Sequence, residues 1–411
     1  MNEQPTSNCT SSRHTAHWLN KNCACSTLER QLLPKLEASD FLFSHTPVYL
    51  TEQQLRQIED QISTLETTIT SDDFAKAVLP DAPAIARIET GAFGMFMGYD
   101  FHMSSDGPKL IEINTNAGGA FIVDALYRAQ DVCCWNGTPL ENKAFAQTII
   151  DMFVNEWRAA GASHPLKTIA IVDEDPKNQF LMGEFLLVQE MLEGYGFTVV
   201  IADPAELIFA DGKLKFQELD VDLVYNRSTD FYFEKGSHKA LKAAYEAQAA
   251  VISPNPRHHA LFAAKQNLAR LSDSEFLRTM GAPQTTVDQL SVLPKSQRII
   301  DENADAIWLN RKKLFFKPLA GHGGKAVYRG DKVTKKVWAH ILEHDYIAQE
   351  FAPADLRHAK CDGETDPQDL KSDIRVYTYR GKPIISAARL YKGQTTNFRT
   401  IGGGFAPIYV V

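Results

Sequence analysis

Apolar positions change period along the chain, and the changes mark out its elements. After Thr51, a plausible N-cap, Leu55, Ile58, Ile62 and Leu65 recur at helical spacing and predict an amphipathic helix. A further helix is expected before residue 98, where alternation takes over. Residues 98–121 read as a β-hairpin: a strand carrying Asp100, a turn at Asp106-Gly107-Pro108, and a strand over 110–113 carrying Glu112. Period two puts Glu112 and Asn114 on one face, and hairpin pairing brings Asp100 opposite them. Residues 118–157 read as helical again.

From residue 167 the pattern is short apolar runs separated by helical stretches. Strands are predicted at 168–172, 197–201 and 222–227, helices at 180–193 and 239–249, and a small hairpin at Asp211-Gly212. Such alternation implies a parallel sheet covered on both faces. Its ligands would lie at the carboxyl ends of the strands, where Asp173, Asp175, Arg227, Ser228 and Asp230 fall. No Gly-x-Gly-x-x-Gly follows the first strand, so a dinucleotide site is not indicated.

A third block opens at Ser253-Pro254-Asn255-Pro256. It predicts one helix through Leu261 and Lys265 to about Met280, with 281–286 turning into a strand. Strand, glycine-rich loop and strand follow over 315–330, then a helix over 333–343 and a strand over 346–351. A hairpin over 374–390 turns at Arg380-Gly381-Lys382.

Composition narrows the classes. The chain has 411 residues, enough for two or three domains, with 44% hydrophobic and 23% charged residues, as in ordinary globular proteins. A net charge of −8 argues against a nucleic-acid partner held mainly by charge. The first thirty residues lack the apolar core of a signal peptide, and no apolar run is long enough to cross a bilayer, so a cytoplasmic enzyme is expected. Residues 1–45 read as a loose leader. Its Cys9, His14, His17, Cys23 and Cys25 match no usual zinc spacing, and the adjacent Cys133 and Cys134 would pair only with strain.

Two carboxylates and an amide on one sheet face suit a cation, and Mg²⁺ takes such oxygens while keeping water and phosphate oxygens in its other positions. The competing reading of Asp100, Glu112 and Asn114 is a solvated acidic hairpin. The loop with Gly321, Gly323 and Gly324 lies between two strands, where its N–H groups could turn toward phosphate oxygens; a plain hairpin is the alternative. Lys317 supplies a cation behind it, and Lys265 is either a second cation or one more exposed helical lysine. Arg375, Arg389 and Arg399 can grip phosphate or carboxylate oxygens with two-pronged geometry. Together these groups describe a site for a magnesium-bound polyphosphate.

In order along the chain, Ala-Ala-Lys265-Gln-Asn-Leu, Gly-Ala-Pro, Phe-Phe-Lys317-Pro with its glycine loop, Ala-Gln349-Glu350-Phe351, Asp373-Ile-Arg375, Ala-Ala-Arg389 and Asn397-Phe-Arg399-Thr make residues 253–411 resemble most of an ATP-grasp domain. They are similar especially to ligases that add glutamate to a peptide terminus or a lysine precursor. The metal segment expected after Asn-Phe-Arg-Thr instead stands early, as Gly-Tyr-Asp100 to Glu112-Ile-Asn114. That order resembles the circularly permuted glutathione synthetases of eukaryotic type. The pattern departs from theirs at Gly98, Ala117 and Gly119, and at Gly321 or His322.

The resemblance implies an α/β chain, α+β in its ATP-grasp part, with a parallel-sheet substrate domain inserted. Residues 46–160 would hold N-terminal helices and the permuted metal part, 165–256 the substrate domain, and 257–411 the nucleotide subdomains. It implies ATP and Mg²⁺, with Asp100, Glu112 and Asn114 on the metal. Lys265, Lys317, Gly321, Gly323, Gly324, Gln349, Glu350 and Phe351 would lie on the nucleotide, and Arg375, Arg389, Asn397 and Arg399 at the reacting groups. Arg227 and Asp230 would grip a substrate or form a structural salt bridge. The activity implied joins a small-molecule or peptide carboxylate to an amine through an acyl phosphate. A kinase acting on a hydroxyl and a non-catalytic nucleotide binder are the alternatives. Neither nucleic acid nor membrane is an expected partner, and a homodimer is an allowed assembly.

Overall fold

The computed structural model describes residues 42–44, 46–129, 137–319, 326–359, 368–398, 400 and 402–411. The leader cysteines and histidines, Cys133, Cys134, Gly321, Gly323, Gly324 and Arg399 lie outside them. Among the described residues no helix is long and apolar enough to cross a membrane.

The centre is a six-stranded antiparallel sheet built from the two ends of the chain. Its path runs Gly404–Ala406, Lys382–Tyr391, Gln368–Tyr379, Met97–Ser104 and Gly107–Asn114, with Asp355–Ala359 also paired to Gln368–Tyr379. Alternation sorts its faces. Met97, Tyr99, Phe101, Ile374, Val376, Ala388 and Leu390 point into one apolar core. The helix Glu52–Ile69 closes that core with Ile58, Ile62, Leu65 and Ile69, and Thr51 and Gln54 cap it reciprocally. The residues between them, Asp100, Arg375 and Arg389, are left to the opposite face.

Register makes that face specific. Asp100 stands directly across from Glu112 on one side and from Arg375 on the other, and Asp373 stands across from Arg389. The turn joining the two long strands puts Arg380 and Gly381 at φ 53° and 71°, the left-handed pair that a two-residue hairpin turn requires.

A second sheet is fully parallel, ordered Val251–Ser253, Leu223–Asn226, Thr168–Val172, Thr198–Ala202, and carries a separate core on each face. A third, antiparallel, joins Ser296–Arg298, Tyr346–Glu350, Leu314–Pro318 and Tyr328–Arg329 around Ile307, Phe316, Ile341 and Tyr346. The strand Ile408–Val410 runs parallel to Val48–Leu50, which ties the tail to the start of the described chain.

Three expected elements differ. The single helix through 261–280 is broken into Pro256–His258, a π-helical turn His259–Ala263, Gln266–Leu271 and Ser274–Thr279. Ala264 adopts an extended ψ of 115°, and the Asn267 amide donates to the carbonyls of Ala260 and Leu261, both at 2.8 Å, satisfying acceptors the break would orphan. Asp273 then caps the last segment. The strand expected after Gly281 is the helix Gln284–Leu290, in which Val287 and Leu290 are buried three residues apart. The helical reading of 118–157 is interrupted: Ala120–Ala129 and Phe145–Ala159 are helices, with the short strand Thr138–Pro139 between them.

Candidate functional site

The polar face of the central sheet meets the third sheet across a cleft of about 320 Å³. Asp100, Glu112, Asn114, Lys265, Lys317, Gln349, Glu350, Phe351, Arg375 and Arg389 all line it, so residues 275 positions apart share one wall. Lys265, directly after the break at Ala264, lines the cleft. Its ammonium lies 3.9 Å from Glu112 Oε1.

Two hydrogen bonds stitch the lobes directly. Lys317 Nζ donates to the Ile111 carbonyl at 2.5 Å, and His102 Nδ1 donates to the Ala352 carbonyl at 2.7 Å. Burial lowers the Lys317 pKa, with Glu112 pulling the other way. Burial likewise lowers His102, whose Nε2 lies 3.2 Å from the Tyr391 hydroxyl. At the outer wall Phe315 stacks on Phe351, and the Arg329 guanidinium lies 5.0 Å from the centre of the Phe351 ring.

Under the cleft is a buried charge cluster. Arg375 donates to both Asp100 oxygens at 2.6 Å, Arg389 reaches Asp100 Oδ2 at 2.9 Å and Asp373 Oδ1 at 2.7 Å, and Asn114 Nδ2 donates to Asp100 Oδ2 at 3.2 Å. Thr396 donates to the other Asp373 oxygen. Burial alone would raise the Asp100 pKa, but the charges of Arg375 and Arg389 outweigh it and hold the carboxyl at about 2. Because this value lies below the ordinary 3.8, Asp100 contributes stability above about pH 4 that is lost as pH falls toward 2. The stability gap between wild type and Asp100→Asn is therefore expected to be constant from pH 7 to 5 and to close between pH 4 and 2 in urea melts. A gap that widens on acidification contradicts this assignment.

Glu112 stands differently. Its side chain is 36% exposed, and among the described residues its ion pair is with Lys265 at 3.9 Å. Of the three oxygen residues, Glu112 and Asn114 thus face the cleft with oxygens available, whereas both Asp100 oxygens are already engaged by guanidinium groups.

The remaining expected residues lie apart. The Asn397 amide donates to the carbonyls of Lys392 and Thr395 at 2.7 and 3.2 Å, shaping the loop that sets Thr395 and Thr396 on the cleft rim. Arg227 is buried at the end of the parallel sheet: Nη1 donates to the Asn116 carbonyl at 2.7 Å and Nη2 lies 3.5 Å from Glu184. It pins the loop that follows Asn114. Asp230 accepts the backbone N–H groups of Glu234 and Lys235 and lies 3.4 Å from His238 Nδ1. Neither lines the cleft.

Sequence reasoning passed over His102, Tyr391 and Thr396. His102 stands two residues beyond Asp100, and Tyr391 two beyond Arg389, so extending the period-two alternation would have found both. Thr396 sits in a loop and carries no periodic signal.

No protein-family model matches the chain, and no curated protein matches its sequence. Solved structures do. A glutathione synthetase-like effector from Globodera pallida superposes over 98% of this chain and 96% of its own, with a TM-score of 0.61 at 14% identity. A gamma-glutamylcysteine synthetase-like protein from Methylobacillus flagellatus covers 89% of each chain at TM-score 0.49 and 12% identity. The ATP-grasp ligase PsnB, solved with Mg and ADP, covers 56% of this chain and 79% of its own at TM-score 0.30 and 16% identity. The chain shares the fold of the glutathione synthetase-like effector.

Proposed function

We propose that the protein is an ATP-dependent ligase that joins a carboxylate to an amine through an acyl phosphate. The observation that carries this reading is the single cleft in which Glu112 and Asn114, from one end of the chain, face Lys265, Lys317, Arg375 and Arg389, from the other. In this reading the fold is a circularly permuted ATP-grasp domain. Residues 46–160 supply its metal part, 165–256 form an inserted parallel-sheet substrate domain, and 257–411 its nucleotide subdomains.

The donor set fits magnesium and a nucleotide. Glu112 and Asn114 would hold Mg²⁺, a hard cation that completes its shell with water and phosphate oxygens, with Asp100 behind them ordering Asn114 and both arginines. The metal would offset negative charge between two anionic reactants. Gln349, Glu350 and Phe351 line the cleft where an adenine would lie, and Phe351 is already ordered against Phe315.

The chemistry then balances in two steps. A carboxylate oxygen takes the γ-phosphoryl group, releasing ADP; the amine attacks the acyl carbon, phosphate leaves with the C–O bond electrons, and the nitrogen gives up a proton. Lys317, Arg375 and Arg389 stabilise the charge on the transferring group from fixed positions. Arg399 and the glycine loop would act beside them.

Two close approaches set the site apart from the glutathione enzymes it resembles. A Cβ on Gly98 would come within 2.6 Å of Ala117 Cβ, so the arginine those enzymes carry there has no space. Arg227 Nη2 fills the space beside Gly118, 2.3 Å from where a Cβ would stand.

A phosphate-release screen with amino acids, short peptides and polyamines tests the reading. ADP that forms only when both an acid and an amine are present, with an amide product by mass spectrometry, is expected. ADP formed with a hydroxyl compound alone indicates a kinase. A magnesium–ATP shift in melting temperature with no turnover indicates a binding protein.

A further inference from the structure

We propose that His340, Glu343 and His344 form a binding site for a divalent transition metal of the zinc class, separate from the magnesium-type cleft. The three ligand atoms lie within 4.8 Å of one another. None of the three lines the cleft.

The helix Lys335–Leu342 sets the spacing. Glu343 continues it as an αR C-cap (φ −77°, ψ −10°) and His344 follows, its backbone N–H 3.4 Å from the Ile341 carbonyl, so residues 340, 343 and 344 keep the three- and four-residue spacing at which side chains meet. That helix is anchored independently: Ile341 is buried, and Trp338 packs against Trp308 and Phe316. The ligands therefore stand on a rigid support.

Their chemistry is preset. His344 Nδ1 lies 2.8 Å from the His340 carbonyl; a carbonyl only accepts, so Nδ1 carries the proton and Nε2 keeps its lone pair for a metal. This backbone-held imidazole is the arrangement usual around ligating histidines. The His340 ring is held 4.1 Å from that of His344 and edge-on to Tyr346 at 6.3 Å. The helix carboxyl end adds a partial negative charge that favours a cation.

Two imidazoles and one carboxylate select against Mg²⁺ and Ca²⁺, which take oxygen ligands, and suit Zn²⁺ in a site whose fourth position holds water. The cleft, rich in oxygen, has the opposite preference. The two sites would therefore load with different metals.

Equilibrium dialysis of the full-length protein against zinc chloride in excess magnesium tests this. Because the leader cysteines and histidines can also take zinc, the readout is a difference. The doubly substituted His340→Ala/His344→Ala protein is expected to bind one zinc fewer than wild type, and Glu343→Gln to bind it more weakly. Zinc should raise the melting temperature of wild type by more than that of the double variant. Glu343 is exposed, so Glu343→Gln should leave metal-free melting unchanged and is the arm least able to perturb the fold. Equal zinc stoichiometry and equal titration curves for all three proteins overturn the proposal, whether or not the cleft proves to be a ligase site.

Discussion

Glu112→Ala is expected to reduce acid- and amine-dependent ADP formation by about 10²- to 10³-fold, the scale of losing one preorganised electrostatic contact at a transferring group. The melting temperature should stay near that of wild type. Both halves follow from the same geometry. Glu112 is a half-exposed carboxylate whose one ion pair among the described residues is a 3.9 Å approach to Lys265, so removing it breaks little that the fold depends on. It is also the one carboxylate of the cluster with oxygens open to the cleft. Turnover measured alongside a thermal melt separates the outcomes: retained activity removes Glu112 from the site, and loss of activity with loss of folding leaves its role structural.

Arg389→Ala should behave in the opposite way, destabilising the protein by about 3–5 kcal/mol, the range for removing one partner of a buried ion pair. Arg389 is buried between Asp100 and Asp373, bonded at 2.9 and 2.7 Å. Without it Asp373 keeps Thr396 but loses its cation, and Asp100 keeps Arg375 and Asn114. A urea midpoint close to wild type would mean that the cluster relaxes or admits water, and that its order is not what positions Asn114 and Arg375.

The contrast shows what the sequence could convey. The hairpin carrying Asp100, Glu112 and Asn114 was legible because alternation and a turn signal are local, and so was the Arg380-Gly381 hairpin. What brings the two hairpins together is the pairing of Met97–Ser104 with Gln368–Tyr379, which no local pattern encodes. Only the order of motifs pointed to it. The same limit applies to the pairing of Asp100 with Arg375 and Arg389, which depends on strands far along the chain. The helix break at Ala264 was missed for a different reason. Apolar spacing continues across it, and the compensating bonds come from the Asn267 side chain, which periodicity does not weigh. In 284–290, Thr285, Thr286 and Val287 favour a strand, but burial of Val287 and Leu290 decides for helix.

The central claim is that both ends of the polypeptide complete one magnesium–nucleotide pocket. Calorimetric titration of a non-hydrolysable ATP analogue with magnesium, into wild type, Glu112→Gln and Lys317→Gln, addresses it directly. Binding that depends on magnesium in wild type and is lost or strongly weakened in both variants is the predicted result. If Lys317→Gln abolishes binding while Glu112→Gln keeps the wild-type affinity and the wild-type dependence on magnesium, the hairpin near residue 100 is no part of the pocket, and the account fails.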